Sequence, residues 1–346
     1  MVEIKTPFLF FSQLINGVPK PWKYFKIDGL MVNAYEILSK NSTNKAIRKQ
    51  GVHAYLNFNG IITIDSGGFL FMKKKNLDIH PQEILELYKQ SKPNFGVVLD
   101  YPLNTNLSRK EIRRRQIITL KNIKYMVENY NRRNPELIPV IHGNTIKSVQ
   151  WYLKKLEEIN DFNIYGIGSL VPSVFTSKGA GGIYNVIEII AFVKSQLPNK
   201  KIHVFGVGSA LTMHLMFYAG ANSVDSTGWR TKAAFGAIQL PGIGDRYITP
   251  NKKHAKYPNL SKEEKKILNQ CACPICKKFT LKELIQSFKY RAIHNSWVFQ
   301  RELVIARKLL KENEEEYEKY VEKILNRTKF YKAFKFIKKM KLKYSL

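Results

Sequence analysis

The chain has 346 residues, 44% of them hydrophobic and 12% aromatic, enough for one large domain or two ordinary ones with a real core. It carries 57 Lys and Arg against 27 Asp and Glu, a formal net charge of +30. Because the basic residues are spread along the chain, this charge predicts nucleic acid rather than membrane as the partner. A genomic bias towards lysine is the competing interpretation, although the low acidic count argues against bias alone.

The composition also bears on the compartment. No run of about 18 apolar residues is present, which argues against a transmembrane helix. The N-terminus, MVEIKTPFLFFSQLING, has neither a basic leading region nor a small-residue cleavage site, as a signal peptide would. All three cysteines fall in one short segment, which argues against disulfides and for a reducing compartment. We therefore expect a cytoplasmic protein, or one of the host cytoplasm if a phage encodes it.

Short β-rich segments recur along the chain, and a segment of helix length follows each of them. Their apolar residues are continuous, as in parallel strands covered on both faces. Intervening segments such as PQEILELYKQ and VIEIIAFVKSQL have helical periodicity. This repetition favours an α/β fold of the (β/α)8, TIM-barrel type over a doubly wound sheet. The strand candidates lie at 61–68, 95–101, 137–143, 164–170, 202–208 and 223–227, with weaker ones near 8–12 and 29–34.

Polar residues stand at the ends of these strands, where barrel proteins place catalytic groups. They are Asp65, Asp100, His142, Ser169 and Asp225. Asp65 precedes Ser-Gly-Gly-Phe, and Asp225 precedes Ser-Thr-Gly-Trp-Arg. Two such carboxylates can divide glycosidic chemistry, one attacking the sugar carbon and the other moving a proton. By spacing alone, either aspartate could equally cap the helix that follows its strand.

The composition changes near residue 251, which predicts a barrel domain at 1–250 and a zinc-binding subdomain with a basic helical tail at 251–346. A C-x-C-x-x-C motif followed by a histidine is typical of a zinc site, because three thiolates and one imidazole complete a tetrahedron around the ion. The site would be structural rather than catalytic, because four protein ligands leave no position for water. A chance cluster of free cysteines beside a core histidine is the alternative. The four candidate ligands are Cys271, Cys273, Cys276 and His294.

The last twenty residues, RTKFYKAFKFIKKMKLKYSL, are basic with interleaved Phe and Tyr. Two interpretations are open. The segment could contact nucleic acid, with cations on phosphates and aromatic rings on bases. It could equally be an amphipathic helix whose aromatic side chains pack on the barrel.

Several of these motifs together resemble the tRNA-guanine transglycosylase superfamily, and its archaeal branch more than its bacterial one. They are DSGGF at 65–69, the strand-end Asp225, and the cysteine motif with His294-Asn295. NAYEIL, GIGSLVP and HVFGVGS also match, and the resemblance runs from about residue 29 to about residue 305. It implies a (β/α)8 barrel with one structural zinc near its C-terminal end. It also implies exchange of a guanine in a polynucleotide for a 7-deazaguanine.

The resemblance implies the catalytic roles as well. Asp225 would be the nucleophile that attacks C1′ and holds the sugar covalently. Asp65 would be the general acid/base for the leaving and entering purines. A covalent intermediate lets one base leave before another enters. The target nucleotide would have to flip out of any stack to reach a barrel mouth.

The same resemblance implies a base-binding set. Asp100 would read the purine's N–H edge, since N1–H and the exocyclic amine of guanine are donors and a carboxylate accepts both. Phe69 would stack on the base, and Ser169 and Leu170 would offer backbone groups to it. Family members usually carry glutamine where His142 stands and glycine where Ser169 stands. A histidine offers a single donor, so we expect preference for 7-cyano-7-deazaguanine over the aminomethyl base.

The segment at 225–247 looks more like the branch that inserts 7-deazaguanines into DNA. Its Trp229, Arg230, Lys232 and Arg246 would grip phosphates and stack on bases of an opened strand. A lid packed on the barrel rim is the alternative. Archaeal tRNA enzymes also carry further C-terminal RNA-binding domains, whereas this chain ends in a basic helical tail, which favours the DNA branch.

The leading hypothesis is a zinc-containing transglycosylase that replaces guanine in DNA with a 7-deazaguanine such as 7-cyano-7-deazaguanine. Its partners would be DNA, the free deazaguanine base and helper proteins. The first alternative is the same exchange on tRNA. A non-catalytic nucleic-acid-binding relative is disfavoured because both strand-end aspartates are present.

Overall fold

The computed structural model of the chain describes residues 4–74, 79–104, 107–130, 135–170, 182–249 and 258–346. Within these residues nine strands form one parallel sheet. Their order in the sheet is β5-β4-β3-β2-β1-β9-β8-β7-β6. The strands are β1 (Phe8–Ser12), β2 (Gly29–Asn33), β3 (Ile61–Asp65), β4 (Phe95–Val97), β5 (Glu136–Ile138), β6 (Val140–Ile141), β7 (Ile164–Ile167), β8 (Lys201–Val204) and β9 (Ser223–Ser226).

The sheet closes on itself because β5 and β6 are two halves of one strand, separated only by Pro139. β5 pairs with β4 and β6 pairs with β7, so the interrupted strand joins the two ends of the sheet order. Proline has no N–H for the ladder, but the Pro139 carbonyl still accepts from the Gly166 N–H at 2.9 Å. Eight strands therefore make a closed barrel, and the predicted (β/α)8 fold is confirmed.

The strands end earlier than predicted. The candidate at 95–101 is a strand only over Phe95–Val97, and the one at 137–143 ends at Ile141. The residues left over are loops at the C-terminal rim of the barrel. Asp100 and His142 lie on these loops, so their side chains are positioned by rim contacts rather than by the strand ladder.

Helices alternate with the strands. The first connection carries only a short 3-10 helix at Pro21–Lys23. Caps set several helix starts: Ser108 accepts from the Glu111 N–H, and Thr145 accepts from the Ser148 N–H. The helices up to residue 234 are α1 (Ala34–Leu38), α2 (Asn41–Gln50), α3 (Val52–Leu56), α4 (Gly68–Lys74), α5 (Pro81–Ser91), α6 (Arg109–Glu128), α7 (Ile146–Glu157), α8 (Gly182–Gln196), α9 (Thr212–Tyr218) and α10 (Gly228–Ala234).

Side chains alternate between the barrel interior and the helix layer, as the period of two in a strand requires. On β1, Phe8 and Phe10 join the inner cluster, while Leu9 and Phe11 join the larger outer cluster under the helices. The inner cluster is apolar and fills the barrel below its C-terminal rim. The polar residues that line the cavity lie at the rim, where a ligand can reach them, whereas Thr63 on β3 and His203 on β8 are polar residues buried inside the barrel.

A second, smaller core lies beside the barrel. It combines a hairpin with helices that follow it, and α13 also packs against α10 and β1. The predicted boundary at 250/251 falls within 250–257, outside the described residues, and the hairpin before it already belongs to this core. These elements are β10 (Ala237–Leu240), β11 (Gly244–Tyr247), α11 (Lys262–Asn269), α12 (Leu281–Gln286), α13 (Phe288–Glu312), α14 (Glu314–Leu325) and α15 (Tyr331–Tyr344).

The basic tail forms α15, which packs on α8 and α9. Its buried face carries Phe334, Ile337 and Met340. Lys343 pairs with Glu188 on α8 at 2.6 Å. Of the two interpretations of the tail, the structure therefore supports an amphipathic helix packed on the barrel. None of the helices in the described parts of the chain is long and apolar enough to cross a membrane.

Candidate active site

A cavity of about 350 Å³ opens at the C-terminal rim of the barrel. Three carboxylates line it, those of Asp65, Asp100 and Asp225. Its floor includes the inner-core residues Met31 and Val97. The three aspartates are 35 or more residues apart in the chain. Parallel strands bring them together because all the C-terminal strand ends meet at one rim.

Asp225 lies on β9 with both carboxylate oxygens held. The Ser12 hydroxyl donates to Oδ2 and the Gly206 N–H donates to Oδ1, each at 2.6 Å. Gly206 has a φ of 76°, a conformation that favours glycine and turns its N–H towards the carboxylate. His203 Nε2 lies 3.5 Å from Oδ1. These partners come from other strands and loops, so Asp225 does not cap the following helix, which starts after Thr227.

Asp65 ends β3 beside Asn33, its register partner on β2. The Asn33 amide donates to Asp65 Oδ2 at 2.7 Å, and its carbonyl accepts from the Tyr35 N–H. Burial raises the pKa of Asp65 to about 7, and the negative charges of Asp100 and Asp225 add to this rise. The carboxyl group therefore changes its protonation near neutral pH, as a general acid/base requires.

Asp100 is held by two donors from neighbouring strand ends. The Ser66 hydroxyl donates to Oδ1 at 3.2 Å, and His142 Nε2 lies 2.9 Å from Oδ2. His142 is fully buried, is absent from the cavity wall, and has its Nδ1 3.0 Å from the Ser169 hydroxyl. This corrects the expectation that His142 contacts the base: both ring nitrogens are engaged within the protein, and the ring lies behind Asp100.

The remaining predicted base-binding residues lie on the cavity wall. Phe69 is 62% exposed at the mouth, with a ring face available to a planar ligand. Leu170 is buried against the outer core and also lines the cavity. Ser169 turns its hydroxyl towards His142 and has a φ of 65°, rare outside glycine. Val171 and Pro172 of the predicted GIGSLVP loop lie outside the described residues.

The cation-and-aromatic loop predicted around Trp229 does not face the cavity as a set. Trp229 is fully buried, so its ring cannot stack on a base, which corrects that expectation. Lys232 forms an ion pair with Asp245 at 2.8 Å, and Arg246 forms one with Glu264 at 2.6 Å. Arg230 is half-buried and lies over the Phe288 ring. The contacts of these residues therefore mainly join the barrel to the second core, and the alternative of a lid packed on the barrel rim stays a prediction.

The predicted metal ligands converge in the second core. The three sulfurs of Cys271, Cys273 and Cys276 and the Nδ1 of His294 lie within 4.8 Å of one another. The sulfur to Nδ1 distances are 3.3–3.7 Å. A tetrahedral zinc bound at ordinary lengths would place a sulfur and a nitrogen about 3.6 Å apart, so the group fits. His294 Nε2 lies 2.8 Å from the Gln239 carbonyl, which leaves the Nδ1 lone pair for a metal.

Several residues at the site were not among the sequence candidates. Ser12, Asn33, His203 and Gly206 each contact or approach a carboxylate. Ser12 and Asn33 are the last residues of β1 and β2, the two weaker strand candidates. Their polar character at a strand end was the signal that could have identified them. His203 lies inside β8, and only the barrel geometry places it below Asp225.

The fold and the site define a (β/α)8-barrel protein with a carboxylate cluster at its C-terminal rim and a separate Cys3His group that could hold a metal ion. The family described as queuine tRNA-ribosyltransferase (TGT) matches residues 2–329, and the chain belongs to this family.

Its relatives include archaeal proteins named tRNA-guanine(15) transglycosylase. That of Pyrococcus furiosus is 27% identical over 303 residues, which cover 86% of this chain and 48% of the relative. That of Methanococcus aeolicus is 28% identical over 283 residues, 79% of this chain and 41% of the relative. The Nanoarchaeum equitans protein is 27% identical over 260 residues, which cover 71% of this chain and 60% of the relative. The chain thus spans about half the length of most of these relatives.

Proposed function

We propose that this chain exchanges a guanine in tRNA for a 7-deazaguanine base through a covalent aspartyl–sugar intermediate. The observation that carries the proposal is the convergence of three carboxylates in different surroundings on one cavity. Asp225 is held by two hydrogen-bond donors, and Asp65 has a raised pKa. Asp100 is oriented by hydrogen bonds with a serine and a histidine. Membership of the TGT family supports the same assignment.

In the first half-reaction an Asp225 oxygen attacks C1′ of the target nucleotide as the bond from C1′ to the guanine nitrogen breaks. Asp65, whose pKa is raised to about 7 by burial and by its two neighbouring carboxylates, gives its proton to the departing purine. In the second half-reaction Asp65 takes a proton from the incoming base, whose nitrogen attacks C1′. Asp225 then leaves as a carboxylate, which the donors from Ser12 and Gly206 stabilise.

Both purines would be read by the same wall of the cavity. Asp100 would accept from N1–H and the exocyclic amine, and Phe69 would cover one face of the ring. His142 lies behind Asp100 and so offers no donor to a 7-substituent. The basis for preferring the 7-cyano base is thereby removed, and we propose only a 7-deazaguanine as the incoming substrate.

The choice of tRNA over DNA rests on two observations. The relatives with matching barrels are named for tRNA. The loop that suggested the DNA branch has Trp229 buried and Lys232 and Arg246 paired inside the protein. The net charge of +30 suits either polynucleotide.

We further propose that the Cys3His group holds one zinc ion with a structural role. Four protein ligands leave no open position for water. The second core is small, so a metal that links its loop to α13 would stabilise it.

The test is an exchange assay with labelled guanine, in which tRNA and duplex DNA are offered separately. We expect label in tRNA and a protein–tRNA adduct that survives denaturation. Asp225→Ala should lose both signals and keep wild-type folding, whereas Asp161→Ala at an exposed surface site should keep both. Label in DNA alone would overturn the choice of tRNA. An adduct that persists in Asp225→Ala would overturn the assignment of the nucleophile.

A further inference from the structure

The side chains of His142 and Ser169 form a chain of hydrogen bonds that ends on Asp100. Ser169 Oγ lies 3.0 Å from His142 Nδ1, and His142 Nε2 lies 2.9 Å from Asp100 Oδ2. We propose that His142 and Ser169 are positioning residues that hold the Asp100 carboxylate with one lone pair of each oxygen facing the purine. This inference rests on the proposed function, since it assigns the purine-reading role to Asp100.

The direction of each hydrogen bond follows from the two ends of the chain, because the Leu103 N–H can only donate and the Asp100 carboxylate accepts from His142 Nε2. The Leu103 N–H donates to Ser169 Oγ at 2.7 Å, so the serine hydroxyl is left to donate to His142 Nδ1. An accepting Nδ1 requires the neutral tautomer with its proton on Nε2, and this proton then points at Asp100. The Leu103 N–H, the Ser169 hydroxyl and the His142 Nε2–H each donate one hydrogen bond along the chain, so none of these three donors is left unpaired.

The other Asp100 oxygen is held separately. Ser66 donates to Oδ1 at 3.2 Å, so each oxygen accepts one bond from the protein. A carboxylate has about four acceptor positions, which leaves one or more on each oxygen for the cavity. Two adjacent acceptors match two adjacent donors, the N1–H and exocyclic amine of a guanine-type edge. Hypoxanthine lacks the amine and would leave one acceptor unpaired.

The surroundings of the chain keep it in place. Gln116 donates to the His142 carbonyl at 2.6 Å, and the Tyr152 ring meets the imidazole edge-on. Ser169 adopts a left-handed backbone with a φ of 65°, which is unfavourable for any residue with a Cβ. Glycine would relieve this strain but would lack the hydroxyl. The serine is therefore explained by its hydrogen bonds rather than by its backbone.

The experiment compares Ser169→Gly with wild type in two measurements. By thermal unfolding, the variant should have a melting temperature close to that of wild type, because relief of the positive φ offsets the loss of the hydrogen bonds that Ser169 makes with Leu103 and His142. In the exchange assay, KM for guanine should rise about tenfold with kcat little changed, and the preference for guanine over hypoxanthine should fall about tenfold. Ser195→Ala, which removes a serine hydroxyl that donates to the Phe192 carbonyl on α8, is the matched control and should leave the preference unchanged.

A second measurement does not depend on catalysis. Nitrogen-15 NMR of the histidine side chains should show His142 of wild type protonated on Nε2 only, and a mixture of tautomers in Ser169→Gly. A proton on Nδ1 in wild type would overturn the proposal, as would unchanged selectivity in Ser169→Gly. If wild type exchanges no base on either polynucleotide, the proposed function fails. In that case the role of the His142–Ser169 hydrogen-bond chain is still tested by two measurements that need no exchange. They are the His142 tautomer and the calorimetric affinity of wild type and Ser169→Gly for guanine.

Discussion

Asp65→Asn should make the protein more stable and at the same time inactive. The native pKa of Asp65 is about 7, against an ordinary value of 3.8. Between these two pH values the native state holds a proton that the unfolded state has lost. The contribution of Asp65 to the free energy of unfolding therefore falls as the pH rises from about 4 to about 7, and the destabilisation caused by the buried charge is complete above pH 7. Asparagine stays neutral and avoids the cost.

The magnitude follows from the two pKa values. A difference of about three pH units corresponds to about 4 kcal/mol, which is an upper value for the gain above pH 7. About 2 kcal/mol of this should develop between pH 5.5 and pH 8. Asparagine can still accept from the Asn33 amide through its own carbonyl, so the substitution need not leave that donor unpaired.

The assay is urea unfolding of Asp65→Asn and wild type at pH 5.5 and pH 8. The difference between the two proteins cancels the pH dependence of the thiolate site, which both share. Asp161→Asn is the control, because the Asp161 side chain is 78% exposed and its contacts, an ion pair with Lys200 and a long hydrogen bond from the Tyr165 hydroxyl, are far from the cavity. The stability difference of this variant should stay within about 0.5 kcal/mol. A stability gain for Asp65→Asn that is absent, or the same at both pH values, would refute the reasoning.

Four further predictions follow from the geometry. Ser12→Ala removes one of two donors to Asp225, so kcat should fall about 10- to 100-fold with KM little changed; an unaltered kcat would contradict this role. Cys273→Ser should lose the zinc and destabilise the second core, and metal analysis that finds no zinc in folded wild type would rule out the site. Trp229→Ala should cost about 3–5 kcal/mol of stability; a binding defect without that loss would return Trp229 to the nucleic-acid surface. The affinity for duplex DNA should fall with salt by about 0.9 in log–log slope per phosphate contacted, whereas a flat response would mean that the charge of +30 is compositional bias.

The barrel, the strand-end aspartates and the cysteine–histidine motif could all be predicted from local patterns in the sequence. Continuous apolar segments alternating with helical ones admit few packings, and the closed parallel barrel is one of them. The C-terminal ends of its strands share a rim, so Asp65, Asp100 and Asp225 had to lie near one another. The three cysteines fall within six residues of one another, so their sulfur atoms had to lie close together in space. This spacing was enough to predict a shared metal site.

The directions of the side chains at the rim could not be predicted in this way, because they depend on tertiary contacts. His142 and Asp100 both follow a strand and both are buried, yet of the two only Asp100 lines the cavity. Trp229 and Arg230 are adjacent in the chain, and one is core while the other is half-exposed. The donors to Asp225 come from 213 and 19 residues away. A polar strand end can mark Ser12 as a rim residue, but which carboxylate it contacts depends on packing and hydrogen bonds between distant segments, which local sequence patterns do not specify.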